Sequence, residues 1–395
     1  MADDTPPQGP GDNPFANLPM FGDIAKALSG QGPLNWDAAK QFAAMAATNG
    51  EAEPNVDPTV RIALDRLVPI IEMYVREVTG FDAAFPEVVP VTPGMWAQRT
   101  LDAYRPLFTE MATSLGRRAD STDTDIAASD DPMMAMMANL SQMMAPSMMG
   151  MAVGSMVGRM ATRTFGQYDL PIPRGDHSML LVPASIDRFA NDWSLPFDEM
   201  RLWVLAQEMI GHVLFAIAPL RDQYTALVRA YVGGFRTDPS AVAQQLGGFD
   251  LGDASDPMAA LQRLLSDPAI LLGAVQSPEQ AAMAPQLDAA VAAVIGTVDY
   301  LVDSVAIRVI GGDALRIAEA VRRRRVETTP DDLFVERLLG LHVNQSQVQR
   351  GKEFTAGIAD RVGEARILEL FNNPSPLPTP AELAAPGLWI ARLEL

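Results

Sequence analysis

Along most of the chain the apolar positions recur at helical spacing. Val60, Leu64, Leu67, Ile71 and Val75 step along one face and predict a helix that begins near Asp57-Pro58. A second helical stretch runs from about Met95 to Leu115. Ser194 or Pro196 opens another, through Trp203 and Glu208 to about Ile217, and Pro219 starts the next, to about Val232. Asp256-Pro257 and Ser277-Pro278-Glu279 each place a capping residue before a proline, two further helix starts. The helix from Pro278 extends in this reading to Ile310. The clearest strand is Ser178 to Pro183 (SMLLVP), short and apolar after the turn Tyr168-Asp169-Leu170-Pro171. The expected fold class is therefore mainly α, with at most a small β element near 178–183.

Breaks in that pattern set the organisation. Residues 1–57 are rich in Pro and Gly, and their apolar residues are too scattered for a core of their own. They read as a poorly ordered acidic arm with short helices around Ile24–Leu28 and Trp36–Ala47. Residues 58–395 form the helical domain, interrupted by an acidic, exposed Ser/Thr-rich linker at 120–131. Met133 to Met160 is crowded with methionine and has no charge before Arg159, a length that approaches a membrane span. Asn139, Ser141, Gln142, Pro146, Ser147 and Ser155 interrupt it, so a pair of buried helices with adaptable Met contacts is the better reading. Gly150, Gly154 and Gly158 fall at i, i+4 and i+8, which lets another helix approach closely.

Composition narrows the chemistry. The 395 residues carry a formal net charge of −19, which disfavours nucleic acid and anionic lipid as partners. There is no cysteine, which excludes thiolate catalysis and cysteine-ligated metal sites, and only three histidines: His177, His212 and His342. The start MADDTPPQGPGDNPF lacks the basic and apolar regions of a secretory signal, so a cytoplasmic location is expected. Arg322 to Arg325 reads as a solvated helix end, where positive charge suits the helix dipole.

One segment carries the functional question. In LWVLAQEMIGHVLF, Gln207-Glu208-Met209-Ile210-Gly211-His212 sits on a predicted helix. Zinc peptidases place two histidines at i and i+4 on one helix face, with a glutamate beside the first as general base. Here Gln207 and Gly211 occupy the two histidine positions, Glu208 stands at the base position, and His212 is about 100° further round the helix. Glu208 in an apolar run needs a partner; Arg201, Gln207 and His212 are candidates, and a vestigial carboxylate held by Arg is the preferred account.

With this motif, three further stretches resemble the actinobacterial zincin-like metallopeptidases. They are Gly166-Gln167-Tyr168-Asp169-Leu170-Pro171 with the LLVP strand, Arg201-Leu202-Trp203-Val204 with Pro219-Leu220-Arg221, and the pattern from Pro374 through Leu377-Pro378-Thr379 and Glu382-Leu383 to Pro386 and Trp389. They span about Gly150 to Leu395. The resemblance implies a helical zincin scaffold, a zinc-dependent hydrolase activity and a His-Glu-x-x-His core. It also implies an acidic ligand on a later helix, which aligns with Ile295. The implied ligand positions are thus Gln207, Gly211 and Ile295, and none of these supplies a strong zinc ligand.

A rebuilt site is conceivable from Glu208 and His212 on one helix with Asp299 and Asp303 on the later one, a set that suits Mn, Fe or Mg better than structural zinc. Ordinary roles are favoured: a packed or hydrogen-bonded histidine, and aspartates on a solvated face or paired with arginines. The resulting order of functions places first a catalytically degenerate zincin-like protein that binds a peptide or protein partner, with no cofactor. Second comes a metal-dependent hydrolase built on Glu208 and His212, and third a membrane-associated or assembly protein using the Met-rich segment. Oligomeric state is open at this level.

Overall fold

The structure is a computed structural model that describes residues 32–115, 132–175, 178–237, 274–275, 277–326, 339–341 and 343–395; of residues 132–143, 237, 274, 275 and 326 the backbone alone is described. The arm before residue 32, the linker at 120–131, the Asp256-Pro257 helix start, His177 and His342 lie outside the described residues.

The helices are α1 (Trp36–Thr48), α2 (Pro58–Thr79), α3 (Pro93–Ala103), α4 (Arg105–Leu115), α5 (Pro132–Ala161) and α6 (Pro183–Asp192). There follow α7 (Phe197–Ala216), α8 (Ala218–Gly233), α9 (Pro278–Val309), α10 (Ala314–Val326), α11 (Gln345–Val362), α12 (Ile367–Phe371), α13 (Pro380–Ala384) and α14 (Pro386–Leu393). The fold is mainly α, as its apolar periodicity predicts. The SMLLVP strand, β2 (Ser178–Leu181), pairs in parallel with β1 (Glu87–Pro90), a strand of equal length that the sequence reading did not single out. A second two-stranded pair joins β3 (Arg236–Thr237) to β4 (Ala274–Val275).

Helix starts follow the capping signals. Ser277 and Gln280 form a reciprocal capping box at the start of α9, and Asp57 caps α2 ahead of Pro58. The stretch from Met95 to Leu115 is two helices that meet at Tyr104, whose phenol donates to the Ile172 carbonyl at 3.1 Å.

The Met-rich segment departs from expectation. It is one helix of 30 residues, α5, which runs through Pro146, rather than a pair. Its glycine face does bring a neighbour close, and that neighbour is α1. A Cβ at Gly154 would lie 2.2 Å from the Ala39 carbonyl oxygen, and one at Gly158 would lie 2.3 Å from that of Ala43. Residues 34–48, set aside from the core in the sequence reading, are thus built into it, with Leu34, Ala39 and Ala43 fully buried. Alanines rather than large side chains make the contact.

Two apolar clusters form the interior, and α9 lies between them, with Val298 and Tyr300 packed against both. This helix is long and apolar enough to cross a membrane by length and composition, yet most of its apolar window is buried against other helices. At its crossing with α11 the backbones meet directly: a Cβ at Gly351 would stand 2.0 Å from the Ala292 carbonyl oxygen. The adjoining Thr297 and Thr355 hydroxyls, both buried, bond to each other at 3.2 Å. α9 also packs along α7, and the cleft lies between these two helices.

Candidate functional site

Helix α7 is buried from Val204 to Gly211, which presents Gln207 and Gly211 to α9 and to the loop from Thr164 to Pro171. A cavity of about 90 Å³ lies between them. Gln207, Gly211 and Ile295 all line it, so the three positions implied as metal ligands do converge in space. Around them stand Tyr168, Asp299 and Arg325, on a largely aliphatic wall.

The side chains at those positions do not fit a zinc ion. Ile295 is aliphatic and buried, Gly211 has no side chain, and Gln207 is held by other partners. The Gln207 amide donates to Asp169 Oδ1 at 3.3 Å, and its oxygen faces Arg325 Nη2 at 3.5 Å. Tyr168 fills the place of the second histidine: a Cβ at Gly211 would sit 2.9 Å from Tyr168 Cγ. A fixed cation is already present, because Arg325 Nη1 donates to both oxygens of Asp299, at 3.0 and 3.1 Å. Among the described residues no three His, Asp or Glu side chains stand together as a metal-holding set.

Glu208 is fully buried but does not reach the cavity. Its carboxyl lies beneath Gly166, where a Cβ would come within 2.3 Å of Glu208 Cδ, so only glycine leaves room for it. Oε2 accepts the Tyr168 backbone N–H at 3.0 Å, while Oε1 lacks a hydrogen bond of good geometry among the described residues. Burial, and next the negative charge of Asp169, push the Glu208 carboxyl well above the ordinary glutamate range. The backbone amides of Tyr168 and Gln167 and the charge of Arg174 offset this in part. A protonated acid tolerates such a site far better than a carboxylate.

The expected arginine partner is not there. Arg201 is committed to Asp187 at 2.8 Å and Asp198 at 3.2 Å, so backbone amides hold Glu208 in its place.

His212 points away from the cavity, half-buried against the edges of Phe81 and Phe85, each with its centroid 6.1 Å away. Tyr168 Oη lies 3.5 Å from its Nδ1, and burial lowers the imidazole below its ordinary value. Asp299 and Asp303 take the ordinary role: salt bridges with Arg322, and with Arg325 and Lys352 respectively. The structure therefore brings together Gln207, Gly211, Ile295 and Asp299, and leaves Glu208, His212 and Asp303 outside the cavity.

The run Arg322 to Arg325 corrects the expectation of a solvated helix end. Arg322 and Arg325 neutralise the α9 aspartates, and Arg324 bonds Asp169 at 3.1 Å while lying 3.6 Å over the Phe165 ring. Arg322, Arg324 and Arg325 thus face buried Asp299 and part-buried Asp303 and Asp169, while Arg323 is exposed, so three of the four charges are structural. Tyr168, Asp169 and Arg325 are the site residues that sequence reasoning did not assign. Tyr168 and Asp169 sat within a motif already singled out, but nothing in the spacing says that a tyrosine ring covers Gly211.

The comparisons agree with this architecture. A crystal structure from Chloroflexus aurantiacus, described as "a putative hydrolase with a novel fold", is similar over 91% of this chain and 99% of that one. The TM-score is 0.56 at 19% sequence identity, which supports the shared fold. No curated protein matches the chain. The family model described as "Zincin-like metallopeptidase" matches residues 34–390, so the match extends through α1 as well as the motif helix. The chain belongs to the zincin-like metallopeptidase family.

Proposed function

We propose that this protein is a catalytically degenerate member of its family, in the cytoplasm, and that it binds a peptide or protein partner in the old cleft. The observation that carries this reading is the convergence of Gln207, Gly211 and Ile295 on one cavity whose ligand space is taken by Tyr168 and by the Arg325–Asp299 pair. A cavity with an aliphatic wall and a polar end still offers a peptide what it needs, an anchor pocket and hydrogen-bonding groups for its backbone.

Two measurements test the reading. Elemental analysis of the untagged protein, after incubation with zinc or manganese and dialysis, should find no stoichiometric metal. Near-stoichiometric metal that is lost in Glu208→Ala and His212→Ala would overturn it in favour of a rebuilt hydrolase. Selection from a random peptide library should yield peptides whose affinity falls at least about tenfold when Ile295→Trp fills the cavity, a loss of ~1.4 kcal/mol. Peptides that bind the filled variant equally well would place recognition elsewhere.

A further inference from the structure

Helix α2 is apolar on two sides. Leu64, Ile71, Val75 and Val78 are buried where the helix packs on α7 and α9. At ~100° per residue, Ile62, Arg66, Pro69, Ile70, Met73 and Glu77 fall on the other side, within an arc of about 100°. All six are exposed, and Ile62, Ile70 and Met73 keep 52%, 42% and 56% of their surface accessible. One apolar stripe suffices to join a surface helix to its core, whereas here a second faces solvent.

The charges on this face indicate what covers it. Among the described residues neither Arg66 nor Glu77 takes part in a hydrogen bond or an ion pair. They stand ~16 Å apart along the helix, on the same flank of the stripe. In an antiparallel pair of α2 helices related by a two-fold axis, each Arg66 meets Glu77 of the second copy, and Ile70 meets Met73. Both relations share one midpoint, between Ile71 and Glu72, as a self-complementary interface requires.

The remaining charges fit the same arrangement. On the other flank Asp65 and Arg76 repeat the relation with the signs exchanged, about a midpoint one residue away. Arg76 gives Nη1 to the Phe81 carbonyl at 3.0 Å and lies over the Phe85 ring, which fixes its guanidinium at that edge. Glu72, near the midpoint, is half-buried and turned ~100° from Met73, out of the contact. A parallel pair would instead set Arg66 against Arg66 and Glu77 against Glu77, so the charges select the antiparallel one.

We propose that this face of α2 is the interface of an antiparallel homodimer, with Ile70 and Met73 at its centre and two Arg66–Glu77 ion pairs beside them. A helix of 22 residues is about 33 Å long, so the contact is at the small end of specific interfaces and dissociates in the micromolar range. The dimer does not depend on how the zincin cleft is used.

Sedimentation velocity of the full-length, untagged protein over a concentration series tests it. The parent should pass from monomer to dimer in the micromolar range, and Met73→Asp should weaken this at least about tenfold. Arg66→Glu and Glu77→Arg, each alone, should do the same, because each sets like charges opposite one another twice. Mixing those two variants should restore the dimer, since opposite charges then face each other at both places. All three positions are exposed, and circular dichroism should show parent-like folding in each variant. A parent that stays monomeric at millimolar concentration would overturn the proposal and leave the face to a different protein. A dimer as strong in Met73→Asp as in the parent would place the interface elsewhere. A mixture that stays monomeric would overturn the antiparallel register.

Discussion

Gly166 and Glu208 are coupled through space that a single methyl group would take. Gly166→Ala places a carbon where the Glu208 carboxyl lies, and this carboxyl has no solvent to move into. We expect a loss of about 1–3 kcal/mol, the range for overfilled cores, read as a lower urea midpoint at unchanged slope. Glu208 itself has a pH signature. Its folded-state proton affinity is raised, so its contribution to stability is fully present below the unfolded glutamate range and is lost as pH rises through the folded value. Glu208→Gln keeps the shape without the ionisation. Its melting temperature relative to the parent should therefore climb between pH 4 and pH 8, by ~1.4 kcal/mol of stability for each tenfold preference of the folded state for the proton. A flat difference across that interval would mean that Glu208 is ionised in its buried site. Asp299 makes a contrasting case: Asp299→Ala would leave Arg322 and Arg325 without their buried partner. The expected cost is about 3–5 kcal/mol, checked by denaturant unfolding.

At the scale of elements, close helix crossings decide more than amphipathic stripes. The small-residue face of α5 accepts α1, and the glycines of α9 and α11 let those helices touch backbone to backbone. Gly154→Val should therefore push α1 off α5. Limited proteolysis would then cut within residues 36–48, which the parent protects, and uncut α1 in the variant would show that the pair tolerates separation. The spacing of Gly150, Gly154 and Gly158 was legible as an invitation to a close neighbour, whereas the identity of that neighbour was not. An alanine-rich helix such as α1 has few large side chains to mark its buried face, and its alanines become core where the glycines of α5 let the two backbones meet. The opposite error occurred at Arg322 to Arg325. A run of like charge reads as solvated, but the acids that neutralise it lie on α9 and in the loop at Asp169, and sequence distance hides them.

Across the whole molecule, the cleft is the product of parts of the chain that meet only when folded: the loop at Thr164–Pro171, the motif helix α7, the long helix α9, Arg325 at the end of α10, and Leu341 with Val343. If Tyr168 blocks the ligand space, returning histidines alone should not restore a metal site. Gln207→His with Gly211→His should bind zinc weakly and destabilise the fold. Adding Tyr168→Ala and Ile295→Glu should bring tight binding, measured by competition with a chromophoric chelator. Tight zinc binding by the two-histidine variant alone would show that Tyr168 moves aside easily.

What the sequence determined by itself was local. Helical periodicity and proline starts placed α2, α7, α8 and α9 to within a few residues, because those signals act locally and need no partner. The family resemblance, itself read from the sequence, implied the positions Gln207, Gly211 and Ile295, and neither a glycine nor an isoleucine side chain has a donor atom for a metal. The tertiary structure alone decided what surrounds those positions: a tyrosine ring on Gly211, an arginine paired to Asp299, and backbone amides rather than an arginine on Glu208. Those contacts join residues far apart in the chain, and their existence depends on helix crossings set to within an ångström by backbone contact. Spacing along the chain carries no information at that resolution.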